Sequence, residues 1–364
     1  MEENDEYLTK QLITYIGNKR ALLPLITDGL NTIQKRLNLG QFSFLDIFSG
    51  SGIVSRFLKQ YSHTLHVNDL ETYSHIINQC YLTNKSDIDW QTLEKYHQEI
   101  VWKLNNKPLK QGFITELYAP QNDDRILPGE RVFYTRRNAM YLDTAREYID
   151  QIPGNLQPLF LGPLLAQASI HANTGGVFKG FYKNKNGIGQ FGGQKENALA
   201  RIKANMKLEF PILSNFNSQV HIYQQDANTL AKELPDVDVA YLDPPYNQHP
   251  YGSNYFMLNL LAKYQRPKNI SCVSGIPKDW NRSDYNKRRL AAESLQKLCY
   301  DLQAKYLLIS FNSEGFISKK EMEAMFHKIG KLTIREQAYP TYRASRNLKE
   351  RNISVHEYLY ILEK

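Results

Sequence analysis

The feature that most constrains the fold is a series of alternating elements near the N-terminus. Residues 42–48 (FSFLDIF) form a short apolar run that ends in the glycine-rich turn SGSG at 49–52. Apolar residues at helical spacing follow over 53–61, and a second short strand is predicted over 64–67. Strand, glycine turn, helix and strand in this order predict half of a dinucleotide-binding α/β unit with a right-handed crossover.

The same alternation returns in the second half of the chain. Strands are predicted over 220–224, 237–242 and 306–311, helices over 290–302 and 318–329, and a closing antiparallel pair over 332–337 and 355–362. The fold class predicted is therefore α/β, with a Rossmann-like mixed sheet that has a closing antiparallel edge.

The middle of the chain lacks this alternation. It has helical stretches at 91–104 and 138–152. Residues 171–194 are rich in Gly, Asn, Lys and aromatic side chains, which predicts a surface loop or β-ribbon. We therefore predict one discontinuous domain of residues 1–79 and 217–364, interrupted by an inserted domain of residues 80–216 that is mostly helical and loop.

Composition limits the class of protein. The chain has 45 Lys and Arg against 37 Asp and Glu, a net charge of +8. Nucleic acid is the first partner that this balance suggests, and a basic enzyme with no such partner is the simpler alternative. The acidic start, MEENDEYLTK, has no apolar signal region, and no stretch reaches the roughly 18 apolar residues of a membrane span.

Three cysteines lie far apart in sequence, at positions 80, 272 and 299. Their spacing argues against a zinc cluster and fits a reducing cytosol. We therefore expect a cytoplasmic protein that has no structural metal and no membrane partner.

The glycine turn and the next strand indicate a cofactor site. Gly50 and Gly52 would let the backbone approach a ligand closely, although a tight strand-to-helix turn needs no ligand. Asp69 ends the following strand about 20 residues later, where a carboxylate can accept both hydroxyls of a ribose. The third glycine of the dinucleotide fingerprint is missing, which favours a nucleoside cofactor without phosphates over a pyrophosphate.

The tetrapeptide DPPY, Asp243 to Tyr246, follows the predicted strand VDVAYL. Pro244 and Pro245 cannot continue a central strand, because neither donates a ladder hydrogen bond. They fix a stiff exit that holds the Asp243 carboxylate and the Pro244 carbonyl as two acceptors. Two fixed acceptors suit the exocyclic amino group of a nucleobase, whose lone pair must be localised before it can attack, and Tyr246 could stack on a base turned out of its helix.

A third segment, YIGNKR at 15–20, stands just before a helix predicted over 22–37. Its aromatic ring, glycine turn and lysine could hold the carboxylate of a cofactor. Taken alone, the segment is more simply interpreted as a helix start with a solvated lysine.

Together these motifs identify a resemblance. YIGNK, LDIFSGSG, VND, QQDA and YLDPPY, in that order, resemble the S-adenosylmethionine-dependent adenine-N6 methyltransferases of DNA, in the group that includes Dam and related modification methylases. Cofactor motifs placed before DPPY, with a long insertion between them, match the arrangement called alpha. The stretches DPPYNQHPYGSNYFMLNLLAKY and SFNSEGFIS resemble the methylases of restriction–modification systems.

The resemblance implies a role for individual residues. The expected contacts to S-adenosylmethionine come from Tyr15 (where the family commonly has Trp), Lys19, Phe48, Gly50, Gly52, Asp69, Asp226, Ala227 and Asp243. Asp243, Pro244, Pro245 and Tyr246 are the expected catalytic residues. No metal is implied, because the methyl group of the donor is already activated.

The resemblance also implies partners. Double-stranded DNA is the expected substrate, and the inserted region is the expected target-recognition domain, with a cognate restriction endonuclease left open and a monomer or weak dimer expected. Candidate DNA contacts are Arg136, Arg137, Lys179, Lys183 and Lys185.

Alternatives remain at this point. An RNA adenine-N6 or a DNA cytosine-N4 methyltransferase would keep the chemistry and change the substrate. A DNA-binding module that has lost catalysis would keep the partner, and the intact DPPY argues against it. An oxidoreductase that binds a dinucleotide is disfavoured by the missing third glycine.

Overall fold

A computed structural model of the chain describes residues 2–193, 196, 198–340 and 354–364. Seven strands form one sheet in the described residues: β1 (Phe42–Asp46), β2 (Ser62–Asn68), β3 (Gln219–Tyr223), β4 (Val237–Leu242), β5 (Ala304–Asn312), β6 (Lys331–Pro340) and β7 (Ser354–Glu363). Their order is β3-β2-β1-β4-β5-β7-β6. The first five strands run parallel, whereas β7 is antiparallel to both β5 and β6. The predicted mixed α/β sheet with an antiparallel edge is confirmed.

The α-helices of the described residues, in chain order, are α1 (Asp5–Thr9), α2 (Leu23–Leu37), α3 (Ile53–Leu58), α4 (Thr72–Tyr81), α5 (Trp90–Asn106), α6 (Phe113–Tyr118), α7 (Arg136–Ile149), α8 (Gln157–Ile170), α9 (Leu199–Lys203), α10 (Ala227–Leu230), α11 (Tyr251–Asn254), α12 (Phe256–Lys263), α13 (Ala291–Asp301) and α14 (Lys319–Phe326). None of these is long and apolar enough to span a bilayer. We expected YIGNKR to stand just before the first helix of the chain. Helix α1 lies upstream of this segment, so YIGNKR instead precedes the second α-helix, α2.

Side-chain alternation explains how the sheet is covered on both faces. On β4, Val239 and Tyr241 pack into one apolar cluster with α2 and α3, whereas Ala240 and Leu242 pack into a second cluster with α10, α13 and α14. Successive side chains of a strand point to opposite faces, so a strand covered on both sides is mostly apolar. The one charged residue of β4, Asp238, forms an ion pair with Lys305. This is why VDVAYL, buried at every position, is recognised from sequence with its observed bounds.

A third apolar cluster joins the helices of the middle of the chain to helices outside it. It includes Tyr73 and Ile77 of α4, Leu164 of α8 and Leu258 of α12. Helices α4 and α8 approach closely at Gly162, where an added Cβ would lie 2.6 Å from Cys80 Sγ. The expected boundary between residues 79 and 80 therefore falls inside α4, and the predicted division into domains stays a prediction.

A buried carboxylate fixes part of this helical region. Asp143 on α7 is fully buried, and its oxygens accept hydrogen bonds from the backbone N–H groups of Gly112, Ile114 and Thr115 at the start of α6. The Thr115 hydroxyl and the Tyr264 hydroxyl also donate to it, at 2.6 and 2.9 Å. One side chain thus satisfies the free amides of a helix start that no local residue caps.

We expect Asp143→Ala to lower the free energy of unfolding by about 3 kcal/mol, because several buried donors would lose their acceptor at once. Urea denaturation followed by circular dichroism measures the change. Asp124→Ala, at an exposed position, is the matched control and should change stability by less than about 0.5 kcal/mol. Equal stability of the two variants would contradict the role of Asp143.

Candidate active site

A cleft lies at the carboxyl ends of β1 and β4, the two neighbouring strands from which the chain continues towards opposite edges of the sheet. Ligands of open α/β sheets bind at such a switch point. The empty volume of the cleft is about 870 Å³. The predicted residues that line it are Tyr15, Lys19, Phe48, Gly50, Asp69, Asp226, Ala227, Asp243 and Pro245. Gly52, Pro244 and Tyr246 lie outside this lining.

The backbone conformation of the turn at 49–52, and the atoms close to it, explain why this turn contains two glycines. Gly50 has a φ of +54°, and an added Cβ would lie 2.8 Å from the Tyr15 hydroxyl. Gly52 has a φ of +74°, and its Cβ would meet Asn78 Oδ1 at 2.8 Å. Both conformations are strained for other residues. The first glycine therefore makes room at the cleft, whereas the second lets the start of α3 approach α4.

Asp69 closes the glycine turn from the end of β2. Its Oδ2 accepts a hydrogen bond from the Gly50 amide at 2.7 Å, and its Oδ1 accepts one from the Glu71 amide at 2.8 Å. Burial raises the pKa of this carboxyl, and the two amides oppose that effect. A carboxylate has about four acceptor positions, so both oxygens keep capacity for a ligand hydroxyl.

Asp243 forms an ion pair with Lys19 in the wall of the cleft. Lys19 Nζ lies 3.0 Å from Asp243 Oδ1, and the Lys19 side chain is only 4% exposed. Burial raises the pKa of the Asp243 carboxyl to about 6, although the Lys19 charge lowers it. Burial alone would lower the pKa of Lys19, but the neighbouring Asp243 raises it above its ordinary value. Lys19 is therefore a permanent cation beside an acid that ionises near neutrality.

Stacked tyrosines hold the segment that carries Lys19. The Tyr15 ring packs nearly parallel to both Tyr251 and Tyr255, with centroids 5.0 and 4.9 Å away, and those two rings lie 6.0 Å from each other. The Tyr255 hydroxyl accepts a hydrogen bond from the Ile16 amide at 2.7 Å, and the Tyr251 hydroxyl donates to the Ile16 carbonyl at 3.1 Å. The segment after DPPY thus positions the N-terminal motif. These tyrosines were not among the predicted site residues, because their partner is 235 or more residues away in sequence.

Tyr246 lies beside the ion pair. Its ring centroid is 5.7 Å from Lys19 Nζ and 6.0 Å from the ring of Phe311, which meets it edge to face. The Tyr246 carbonyl accepts a hydrogen bond from the Phe316 amide at 2.9 Å. Phe311 and Phe316, the two aromatic residues of SFNSEGFIS, therefore both contact Tyr246 at the end of DPPY.

Two carboxyl groups of the cleft were missed by sequence reasoning, and both lie at or just after the carboxyl end of a strand. Asp46, the last residue of β1, is fully buried; Ser55 donates a 2.5 Å hydrogen bond to its Oδ2, while its Oδ1 has no hydrogen-bond partner among the described residues. Burial raises the pKa of Asp46 to about 7. Acidic residues at the carboxyl ends of strands are the signal that could have found it.

Glu71 is the second missed carboxyl. It is 4% exposed and lines the cleft, and the side-chain amides of Asn259 and Asn281 donate hydrogen bonds to its Oε2. Burial raises its pKa to about 7, and the two amides oppose that rise. Glu71 therefore joins the end of β2 to α12 and to the loop that carries Asn281.

The candidate DNA contacts fall into two places. Lys179 lies near the segment after DPPY, because the amide of the neighbouring Phe178 donates a 2.7 Å hydrogen bond to the Asn254 carbonyl. Lys183 and Lys185 are exposed in the same loop. Arg136 instead donates hydrogen bonds to Gln111 and to the Pro120 carbonyl, and Arg137 is exposed on α7.

We expect Glu71→Gln to change how the stability of the ligand-free protein depends on pH. Between about pH 4.5 and 7 the folded state holds a proton on Glu71 that the unfolded chain has released. Its contribution to the free energy of unfolding is complete below the unfolded pKa and is lost as the pH rises through about 7. Glutamine stays neutral, so the variant should gain up to about 3 kcal/mol over the wild type by pH 8.

Urea denaturation at a series of pH values measures this difference. Glu94→Gln, at an exposed position of α5, is the matched control and should follow the wild-type curve at every pH. A constant difference between wild type and Glu71→Gln from pH 4.5 to 8 would contradict the inference.

The chain is similar to known proteins over nearly its whole length. The family model for D12 class N6 adenine-specific DNA methyltransferases matches residues 15–325. The chain is 30% identical to type II methyltransferase M.NlaIII of Neisseria lactamica, over 97% of this chain and 99% of that protein. It is 29% identical to type II methyltransferase M.CviAII of Paramecium bursaria Chlorella virus 1, over 96% of this chain and 98% of that protein. It is 25% identical to type II methyltransferase M.FokI of Planomicrobium okeanokoites, over 96% of this chain and 52% of that protein.

Proposed function

This chain belongs to the D12 class N6 adenine-specific DNA methyltransferases, and we propose that it uses S-adenosylmethionine to methylate N6 of an adenine flipped out of duplex DNA. We place it as the modification enzyme of a restriction–modification system, working in a prokaryotic cytoplasm. The names of M.NlaIII and M.FokI as type II methyltransferases support this biological role. The family match favours adenine in DNA over RNA or cytosine N4, and an enzyme over a binding module or an oxidoreductase.

The observation that carries the proposal is the ion pair at the junction of the cleft and DPPY. Asp243 has an acceptor oxygen, Oδ1, that is buried without an aligned hydrogen-bond donor among the described residues, and Lys19 lies beside it. An adenine amino group brings donors to such an oxygen. The carboxylate would accept one N–H and direct the nitrogen lone pair towards the cleft.

Charge on Asp243 has a second use in the reaction. S-adenosylmethionine would supply a methyl group whose bond to sulfur breaks as its bond to N6 forms, and N6 would then release a proton to Asp243 or to solvent. Positive charge builds on N6 before that proton leaves. A fixed carboxylate in a buried wall stabilises this charge without reorganising, and Lys19 keeps the carboxylate ionised at neutral pH.

The cleft fits S-adenosylmethionine, which supplies a methyl group already activated on a sulfonium. Asp69 would accept the ribose hydroxyls, and Asp226 and Ala227 would lie beside the adenine ring. Phe48, held edge to face on Tyr285 at 5.1 Å, gives the cleft an apolar surface. The unpaired Asp46 Oδ1 suits the ammonium group of the donor.

We expect Asp243→Ala to lower the rate of adenine methylation by at least about 100-fold, because N6 loses its charged acceptor. Incorporation of labelled methyl groups into duplex DNA measures the rate, and sequencing that detects modified bases identifies the product as N6-methyladenine and gives its sequence context. Asp236→Ala, an exposed residue before β4, is the matched control. If Asp243→Ala binds DNA and methylates it at the wild-type rate, the catalytic assignment of Asp243 is contradicted. Methylation of a base other than adenine by the wild type would contradict the proposed substrate.

Lys19→Met should move the acidic limb of the pH–rate profile upward. The active form of Asp243 is the carboxylate, so kcat/KM for the wild type should fall as the pH drops through about 6. Without the Lys19 charge, which lowers that pKa, the fall should begin at a higher pH. Lys19→Arg keeps the charge and should leave the limb near its wild-type position. An unmoved limb in Lys19→Met would show that Lys19 does not set the ionisation of Asp243.

A further inference from the structure

Most of the excess positive charge of the chain is concentrated in one short segment. Residues 263–289 contain eight Lys and Arg but only two Asp, a net charge of +6, whereas the whole chain has a net charge of +8. This segment follows α12, and it lies outside the insertion in which DNA contacts were expected. Such a local excess is the electrostatic footprint of a polyanionic partner.

Part of this segment forms a groove next to the cleft. The groove has an empty volume of about 1280 Å³, and Phe256 and Leu260 of α12 line it together with the basic side chains. Four basic side chains of its rim are exposed to solvent: Lys263, Arg266, Lys268 and Lys278. Arg266 also forms an ion pair with Glu116, so the three lysines carry most of the charge available to a partner. Asp279 is the one acidic side chain in the groove lining that the structure describes.

The wall of the groove is held in place by hydrogen bonds. The Lys278 amide donates to the Asn269 carbonyl at 3.0 Å, which closes the loop between them. That loop is anchored to the helical region, because the Tyr118 hydroxyl donates to the Gly275 carbonyl at 2.7 Å and Arg131 donates to the Cys272 carbonyl at 3.0 Å. The basic residues therefore stand on a fixed surface and need little ordering when a partner binds.

An aromatic side chain adds a flat surface to the same wall. The Arg282 guanidinium lies 4.3 Å from the centroid of the Trp280 ring, and it donates a 3.4 Å hydrogen bond to the Lys278 carbonyl. Trp280 lines the groove. Positive charge alternating with an aromatic ring is typical of surfaces that bind nucleic acid strands.

The groove and the cleft share a thin wall. Gly252 and Asn281 line both. A Cβ on Gly252 would lie 2.7 Å from the Asn281 carbonyl and 3.0 Å from Glu71 Oε1, so nothing larger than glycine fits between them. A polymer whose reacting unit occupies the cleft would therefore have its neighbouring units at the groove.

We propose that the groove binds phosphate groups of the DNA strand adjacent to the target adenine. This inference rests on the proposed function, because it takes the cleft as the place where the adenine reacts. The rim cations neutralise the phosphates, and the contacts are independent of base sequence. The groove thus holds the strand while the adenine is turned out, and recognition of sequence belongs to other parts of the protein.

Salt dependence of DNA binding tests the proposal. The double variant Lys268→Gln/Lys278→Gln removes two rim charges, and Lys35→Gln/Lys328→Gln removes two exposed charges elsewhere in the chain. Fluorescence anisotropy with one labelled duplex at several salt concentrations gives the slope of log K against log salt for each protein. Each lost phosphate contact changes that slope by about 0.9. The slope for the groove variant should therefore be smaller in magnitude than the wild-type slope by about 1.8, and the slope for the control variant should equal the wild-type slope.

Three further outcomes are decisive. Equal slopes for the groove variant and the control would overturn the proposal, and they would leave an acidic protein as the alternative partner of the groove. Adenine methylation by the wild type, assayed on the same duplex, tests the proposed function separately, so its absence would overturn that function and not the groove measurement. Melting temperatures equal to that of the wild type would exclude misfolding as the cause of a lost slope.

Discussion

The buried ion pair between Lys19 and Asp243 is the interaction on which the arrangement of the site depends. Lys19 comes from a segment before β1 and Asp243 from the end of β4, so the pair joins two parts of the chain at the switch point of the sheet. Either charge alone would be costly to bury, by several kcal/mol. The tyrosines packed on Tyr15 and the stiff Pro244-Pro245 exit keep the two groups together. The strand order places them in the cleft at the carboxyl ends of β1 and β4.

The protein separates its charges by location. Asp46, Asp69, Glu71 and Asp243 are acids in the wall of the cleft, and burial raises the pKa of each. A cationic ligand in the cleft would relieve this cost, since a positive charge favours the ionised forms. The lysines and arginines of 263–289 lie outside the cleft, where a polyanion can reach them. This separation suits an enzyme that takes a sulfonium donor and a DNA strand from different directions.

Much of the fold could be predicted from the sequence, and helix α8 shows why a part of it could not. Strand β4 has the predicted bounds, because five of its six residues are apolar and all six are buried, as expected of a strand covered on both faces. Helices α4, α6, α8 and α12 are among those that were not predicted. Helix α8 is apolar on all sides and contains Gly162 and Pro163, so it lacks the periodic polar face by which a helix is recognised. Only its burial among α4, α7 and α12 stabilises it there.

The sequence by itself determined the order of the motifs, the chemistry of the glycine turn and of DPPY, and the class of the sheet, because these depend on residues that are neighbours in the chain. The tertiary structure decided which distant groups meet. It paired Lys19 with Asp243, brought Tyr251 and Tyr255 onto Tyr15, and placed Glu71 against Asn281 beside a basic groove. Such contacts depend on how separate elements pack, and no local pattern of residue types encodes that packing.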